Sequence, residues 1–216
     1  MLTVHHLGRS QSERVVWLCE ELELDYRLVR HQRDPQTLLS PPELKALHPL
    51  GAAPVIEDGD VRLAESGAIV DYILARYGRG RLALGPEAPE FAAYLYWLHF
   101  SNGTLQPAMG RSMIVSRLRL PADNPVAATL LGRLDRALRH LDGRLAVVPH
   151  LAGDAFTAAD VMTVFSLTTM RLFYPADLTP YPAILAYLHR IGARPAYRRA
   201  MEKGDPGFAP LIGATI

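Results

Sequence analysis

Two serines stand where an apolar run gives way to a helical pattern, in "HHLGRSQSERVVWLCEELELDY". Ser10 and Ser12 are either helix caps or one of them does chemistry. A serine hydrolase is the first chemistry to test. The stretch GRSQS misses the nucleophile-elbow pattern G-x-S-x-G at its last residue, and the sequence gives no warrant for placing an acid and a histidine beside it. Ser66 is a second candidate, because it opens a later helix. Its hydroxyl and amide can cap that helix or receive a carboxylate at the positive helix end, and the same geometry serves both. "GRGRLA" (78–83) matches a relaxed dinucleotide fingerprint, but it follows a helix rather than a strand and is rejected. There is no H-E-x-x-H and no phosphate loop. The eight histidines are scattered, and His5 and His6, adjacent in a strand, cannot share a face. The reading is no metal site.

These residues need elements to hold them. Residues 2–7 read as a buried strand. From Ser12, Val15, Val16, Leu18, Cys19 and Leu22 recur at helical spacing, so one face is apolar, and the helix ends by Asp25. Cys19 on that face reads as a small buried hydrophobe. In this helix Arg14 reads as tying the two domains or the helix together rather than as a substrate contact. "YRLVRH" (26–31) is a second strand. Four prolines make 33–50 mostly loop and short helix. "APVIEDGDVRLAE" (53–65) is a hairpin turning at Asp58-Gly59, and residues 66–78 form a helix stopping at Gly78. The order over residues 1–78 is β-α-β-α-β-β-α.

Residues 79–89 are turn-rich and read as a linker. Beyond them strand signals vanish, and residues 90–216 read as an all-helical domain. Its first helical pattern, 90–118, is expected to bend near Gly103 and Pro107. A second runs over 124–145, followed by 158–172, 181–191 and 195–203. "FTAADV" carries a Thr157-x-x-Asp160 spacing, a capping-box variant whose loss should cost about 1 kcal/mol.

The totals agree with a two-domain globular protein: 216 residues, 49% hydrophobic, 21% charged, net charge +1. Charge this balanced does not point to nucleic acid or an anionic membrane as a partner. A single cysteine excludes an internal disulfide framework, a CxxC pair and a Cys-rich zinc site. No basic-then-apolar leader opens the chain, and no apolar run approaches the ~18 residues that span a bilayer. The expectation is a soluble cytoplasmic protein.

"SQSERVVWLCEELELDY", "HPLGAAPVIEDGDVRLAESGAIVDYI" and "AGDAFTAADV" together resemble the cytosolic glutathione transferases over nearly the whole chain, and "YLYWLHFSNGTLQPAM" is similar to a fungal and bacterial subgroup. The resemblance implies a thioredoxin-like N-terminal domain, an all-α domain, glutathione as co-substrate and a homodimer. Ser10 then matches the serine that hydrogen-bonds the glutathione sulfur, with Ser12 its competitor and natural helix cap. Pro54 matches a cis-proline, and Ala53 offers backbone N–H and C=O to the cysteinyl part. Glu65 and Ser66 match the pair holding the γ-glutamyl end, and His48 and Ala52 fall near the glycine end. An electrophile pocket would come from the helical domain, with Tyr94, Trp97, His99, Phe100, Met109, Met113, Phe173 and Tyr174 as candidates.

Two departures follow from the same resemblance. Ala52 stands where many relatives carry a longer polar residue, and Asn102 where an acid is frequent. They keep open a non-catalytic binding protein of the same fold. The pattern S-S-C of the zeta class is not met, which argues against maleylacetoacetate isomerisation.

The implied chemistry is a pKa problem. A free thiol with pKa about 8.5 is only a few per cent thiolate at neutral pH. Lowering it by ~2 units takes about 2.7 kcal/mol. One hydroxyl donor to an anion contributes roughly 1.5–3 kcal/mol, and a helix N-terminus up to ~1 kcal/mol. These suffice without a general base, so Ser10 is expected to be a thiolate stabiliser and not a nucleophile. Conjugation to a hydrophobic electrophile and peroxide reduction both follow from such a thiolate.

Overall fold

The computed structural model describes residues 1–121 and 123–215 and divides them into two compact units. One comprises Met1–Ala83 with Gly192–Pro210, the other Leu84–Ile191 with Leu211–Ile216. The last helix and the turn after it are thus grouped with the N-terminal sheet.

In the first unit the order is β1 (Thr3–Leu7), α1 (Glu13–Glu21), β2 (Arg27–His31), α2 (Pro42–Lys45), β3 (Val55–Asp58), β4 (Val61–Ala64) and α3 (Ser66–Tyr77), closed by α9 (Pro195–Gly204). The four strands lie in the order β2-β1-β3-β4. β1 runs parallel to β2 and antiparallel to β3, with Val4 opposite Leu28 and Ile56. The hairpin turns at Gly59, whose φ of +60° is the left-handed region that glycine enters without steric cost. The Ala53–Pro54 peptide is cis, as the resemblance implied.

The first helix differs from its amphipathic reading. Every residue from Glu13 to Glu20 is buried, polar ones included. The reason is α9, which covers the face the sequence assigned to solvent. Trp17 meets Tyr197 edge-on at 4.8 Å between ring centroids. The Glu20 carboxylate takes Lys203 and Arg199, and Glu21 takes Arg194 at 2.7 Å. Glu20 is held below the usual carboxylate range, because these cations and the Tyr26 hydroxyl outweigh the burial that opposes its charge.

His5 and His6 point to opposite faces of β1, as alternation requires. His5 stacks on His31 with ring centroids 5.3 Å apart and a ring-nitrogen separation of 3.0 Å. Burial, and then the neighbouring His5, push His31 below its ordinary value of 6.5. A histidine that binds its proton more weakly when folded destabilises the fold as the unfolded chain takes up protons. Thermal melts are therefore expected to show stability falling as pH drops below about 6.5, and His31→Gln should flatten that slope.

The second unit is helical: α4 (Phe91–Phe100), α5 (Gln106–Leu118), α6 (Pro125–Leu145), α7 (Ala158–Leu167), a 3-10 turn (Thr169–Leu172) and α8 (Pro182–Ala193), whose last residues pass into the first unit. The bend expected near Gly103 is a turn of π-helix over Ser101–Leu105, with Ser101 donating to the Met162 carbonyl at 2.6 Å. Asn124 caps α6 by accepting from the amides of Val126 and Ala127. Among the described residues no helix is long and apolar enough to cross a membrane.

Candidate functional site

The capping part expected of Ser12 falls to Ser10. Ser12 does not cap α1 with its side chain. Ser10 has the capping geometry instead: its carbonyl accepts from Glu13 N–H at 3.0 Å and its Oγ from Ser12 N–H at 3.3 Å. Ser12 turns inward and is wholly buried. Its Oγ accepts from Leu7 N–H at 3.1 Å and lies 2.9 Å from His6 Nδ1 and 2.7 Å from Ser10 Oγ. Leu7 ends β1, so Ser12 pins the strand to the helix start. Only Ser10, 8% exposed, has surface left to meet a ligand.

Behind Ser12 the network continues. His6 Nε2 lies 3.3 Å from Asp205 Oδ2, and the Asp205 carboxylate also accepts the Arg9 amide at 3.0 and 3.1 Å. Burial raises the Asp205 pKa, but the bonds from His6 and Arg9 outweigh it and hold the carboxyl below its usual range. An acid and a histidine do stand beside the serines, where no local spacing had placed them. Asp205 lies about two hundred positions away in the chain, and only the packing of α9 brings it there.

The opposite wall is set by Gln11 and Arg14. Gln11 Nε2 donates to the Ala53 carbonyl at 3.3 Å, and Arg14 Nη1 reaches Gln11 Oε1 at 3.4 Å and Ser66 Oγ at 3.2 Å. Arg14 is wholly buried, and desolvation pulls its pKa down to about 9 despite Glu13 nearby. It thus ties α1 to the start of α3 within the first unit, where the sequence reading had it join the two domains or brace its own helix. Glu65 precedes that helix with φ +70° and ψ 113°, a conformation costing a non-glycine residue about 1–3 kcal/mol. Its side chain is exposed, whereas Ser66 is buried. Ala53, in a small apolar cluster with Leu7, Leu44, Val55 and Ala64, is buried, as is Pro54. His48 is half-buried and accepts the Leu50 amide at 3.3 Å, and Ala52 is exposed.

Ser10, Ala53 and Ser66 are therefore joined through two intermediaries, Gln11 and Arg14. Gln11, His6 and Asp205 were not among the sequence candidates. For Gln11 a signal existed, since a carboxamide between the two serines could reach across to the hairpin.

In the second unit Tyr94, Trp97, Phe100 and Met109 are buried and Met113 is half-buried. Trp97 packs on Phe100 at 5.0 Å and stacks on His140 at 5.0 Å, so its ring already serves the packing of that unit. His99 and Phe173 are exposed and Tyr174 is half-buried. Cys19 is buried and its thiol is pushed well up by desolvation, which leaves it inert as a nucleophile.

A thioredoxin-like sheet with a cis-proline before its third strand, joined to a helical unit, defines a known class of thiol-handling proteins. The models for the N-terminal and C-terminal domains of glutathione S-transferase match residues 1–75 and 96–195. A glutathione S-transferase from Actinobacillus pleuropneumoniae is 33% identical, with a TM-score of 0.86 and 97% of each chain covered. Glutathione S-transferase 3 of Schizosaccharomyces pombe is 29% identical over 98% of this chain and 91% of its own. The Disulfide-bond oxidoreductase YfcG of Escherichia coli is 30% identical over 96% of this chain and 97% of its own. The chain belongs to the glutathione S-transferase family.

Proposed function

We propose that this protein binds glutathione, holds its sulfur as a thiolate against the Ser10 hydroxyl, and transfers it to a hydrophobic electrophile or uses it to reduce a peroxide. Ala53 would pair with the cysteinyl backbone. Glu65 and Ser66 would hold the γ-glutamyl end, and His48 and Ala52 would border the glycine end. The electrophile would be met by the helical unit, with Tyr94, Trp97, Phe100, Met109 and Met113 as its candidate lining. A homodimer in the cytoplasm is the expected working form.

The observation that carries this reading is the Gln11–Arg14 bridge. It gathers a hydroxyl at one helix start, a strand-edge carbonyl and a second helix start within one unit, and each offers what a different part of a thiol tripeptide needs. The chain's own cysteine is buried and inert, so the reactive sulfur has to arrive with the ligand. Disulfide reduction is a second reading, favoured by the name of the Escherichia coli relative, and it would use the same thiolate.

The test is a calorimetric titration with glutathione. Saturable binding below millimolar concentration is expected, together with a thiolate absorbance band near neutral pH. No heat at millimolar glutathione would end this reading. Activity on an aryl halide, a peroxide and a small disulfide then separates the reactions.

A further inference from the structure

We infer that His6 and Asp205 take up the proton of the bound thiol through Ser12 and Ser10, a two-hydroxyl relay behind the anion site. The inference rests on Ser10 being the sulfur contact.

Counting donors and acceptors leads to it. A hydroxyl has one proton to give and two lone pairs to fill. Asp205 is an ionised acceptor, so His6 presents Nε2–H to it at 3.3 Å. With His6 neutral, Nδ1 is then an acceptor, and Ser12 gives its proton to Nδ1 at 2.9 Å rather than to the Leu7 carbonyl at 3.4 Å. Ser12 Oγ receives Leu7 N–H and, across 2.7 Å, the Ser10 hydroxyl proton. Ser10 has already taken Ser12 N–H. One lone pair remains at Ser10, so in this state the site accepts a hydrogen bond from a neutral thiol.

Protonating His6 reverses every link. Nδ1–H now fills a lone pair of Ser12, and Ser12 donates to Ser10. Both lone pairs of Ser10 are occupied, and its own proton points outward, where it can only be given to an anion. The two states differ by the net movement of one proton. The thiol S–H bond breaks and its proton bonds to Ser10 Oγ. The proton of Ser10 passes to Ser12, that of Ser12 passes to His6 Nδ1, and the products are a thiolate and an imidazolium paired with Asp205. No oxidant or outside base is required.

The packing keeps the links short. A Cβ on Gly8 would lie 3.0 Å from Asp205 Oδ1, and one on Gly204 would lie 3.1 Å from His6 Nε2. Two glycines thus flank the acid–histidine pair, and a side chain at either position would push it apart. The charged groups around the pair are Asp205 itself, Arg9 and Arg33 near its carboxylate, and His31 beside β1. Ser12 is wholly buried and cannot be a nucleophile. His6, Ser12 and Asp205 are positioning residues that act through Ser10.

A proton inventory tests this on the whole chain. Thiolate formed on glutathione binding is read by ultraviolet absorbance. Protons released are read by calorimetry in buffers of different ionisation enthalpy. Near neutral pH the wild type should release fewer protons than the thiolates it forms, the difference being held on His6. His6→Asn should release a proton for every thiolate. Asp205→Asn keeps shape but removes the charge facing the imidazolium, and should raise the apparent pKa of the bound thiol by about one unit, which cuts the thiolate fraction and kcat/KM at neutral pH by about threefold, with the KM for glutathione little changed.

Full proton release in the wild type, matching His6→Asn, overturns the relay and leaves Ser10 as a simple donor. Thiolate that persists unchanged in Ser10→Ala overturns the Ser10 contact itself. An absence of thiolate in the wild type overturns both. The wild-type measurement depends on no variant folding.

Discussion

Ser10→Ala is expected to lower kcat/KM for glutathione conjugation to an activated aryl halide by about tenfold to a hundredfold, because one hydroxyl donor to an anion contributes roughly 1.5–3 kcal/mol. The loss should stop there, since the helix start that also favours the thiolate remains. The fold should lose the cap of α1, about 1 kcal/mol. Among the described residues the Ser10 side chain bonds only Ser12. Ser12→Ala should behave differently. It strands Leu7 N–H and His6 Nδ1 in a wholly buried position, at a cost of about 1–3 kcal/mol in stability, and it interrupts the path from Ser10 to His6. Kinetics paired with urea denaturation separate the two variants. Ser10→Ala with wild-type rates would remove Ser10 from the chemistry.

Asp160→Ala is expected to produce the largest loss of stability, at least about 3 kcal/mol. The sequence suggested a capping box worth about 1 kcal/mol. The box is present, with Thr157 N–H donating to Oδ2 at 2.9 Å. The same carboxylate also receives Leu151 N–H at 3.0 Å and Tyr187 Oη–H at 3.0 Å, with His150 at 4.0 Å. Asp160 and Tyr187 are both wholly buried. Removing the carboxylate takes the acceptor from Leu151 N–H, Thr157 N–H, Tyr187 Oη–H and, at 3.4 Å, the Thr157 hydroxyl, and each loss costs about 1–3 kcal/mol. Burial opposes the charge of Asp160 and pushes its pKa up, while the donors pull against that. Asp160→Asn, which keeps one acceptor oxygen, should therefore lose less than Asp160→Ala. Equilibrium denaturation checks both, and a loss under about 1 kcal/mol for Asp160→Ala would mean that only the cap matters.

The contrast between these positions shows where sequence reasoning stops. A cap is local: Thr157 three residues before Asp160 is legible because donor and acceptor lie within one turn. Asp58-Gly59 announced its hairpin for the same reason, as glycine alone enters that turn freely. Ser12 misled because its local signal, a serine before an apolar helix, is a genuine capping signal. Distant partners overrode it, and a buried hydroxyl between Leu7, His6 and Ser10 gains more than a solvated cap. The amphipathic reading of α1 failed likewise, because Arg14 and Glu20 look like a solvent face until Ser66 at the start of α3 takes the one and Arg199 and Lys203 of α9 take the other.

The order of elements, the hairpin, the capping box at Thr157 and the likeness to the glutathione transferases were determined by sequence alone, since each rests on interactions within a few residues or on a run of motifs in fixed order. Only the tertiary structure decided which serine turns outward. It alone linked Gln11 to Ala53 and Arg14 to Ser66, and brought Asp205 from the end of the chain to His6 in its first strand. The physical reason is that buried polar groups must find partners wherever the packing of helices against the sheet delivers them, and no local spacing records that delivery.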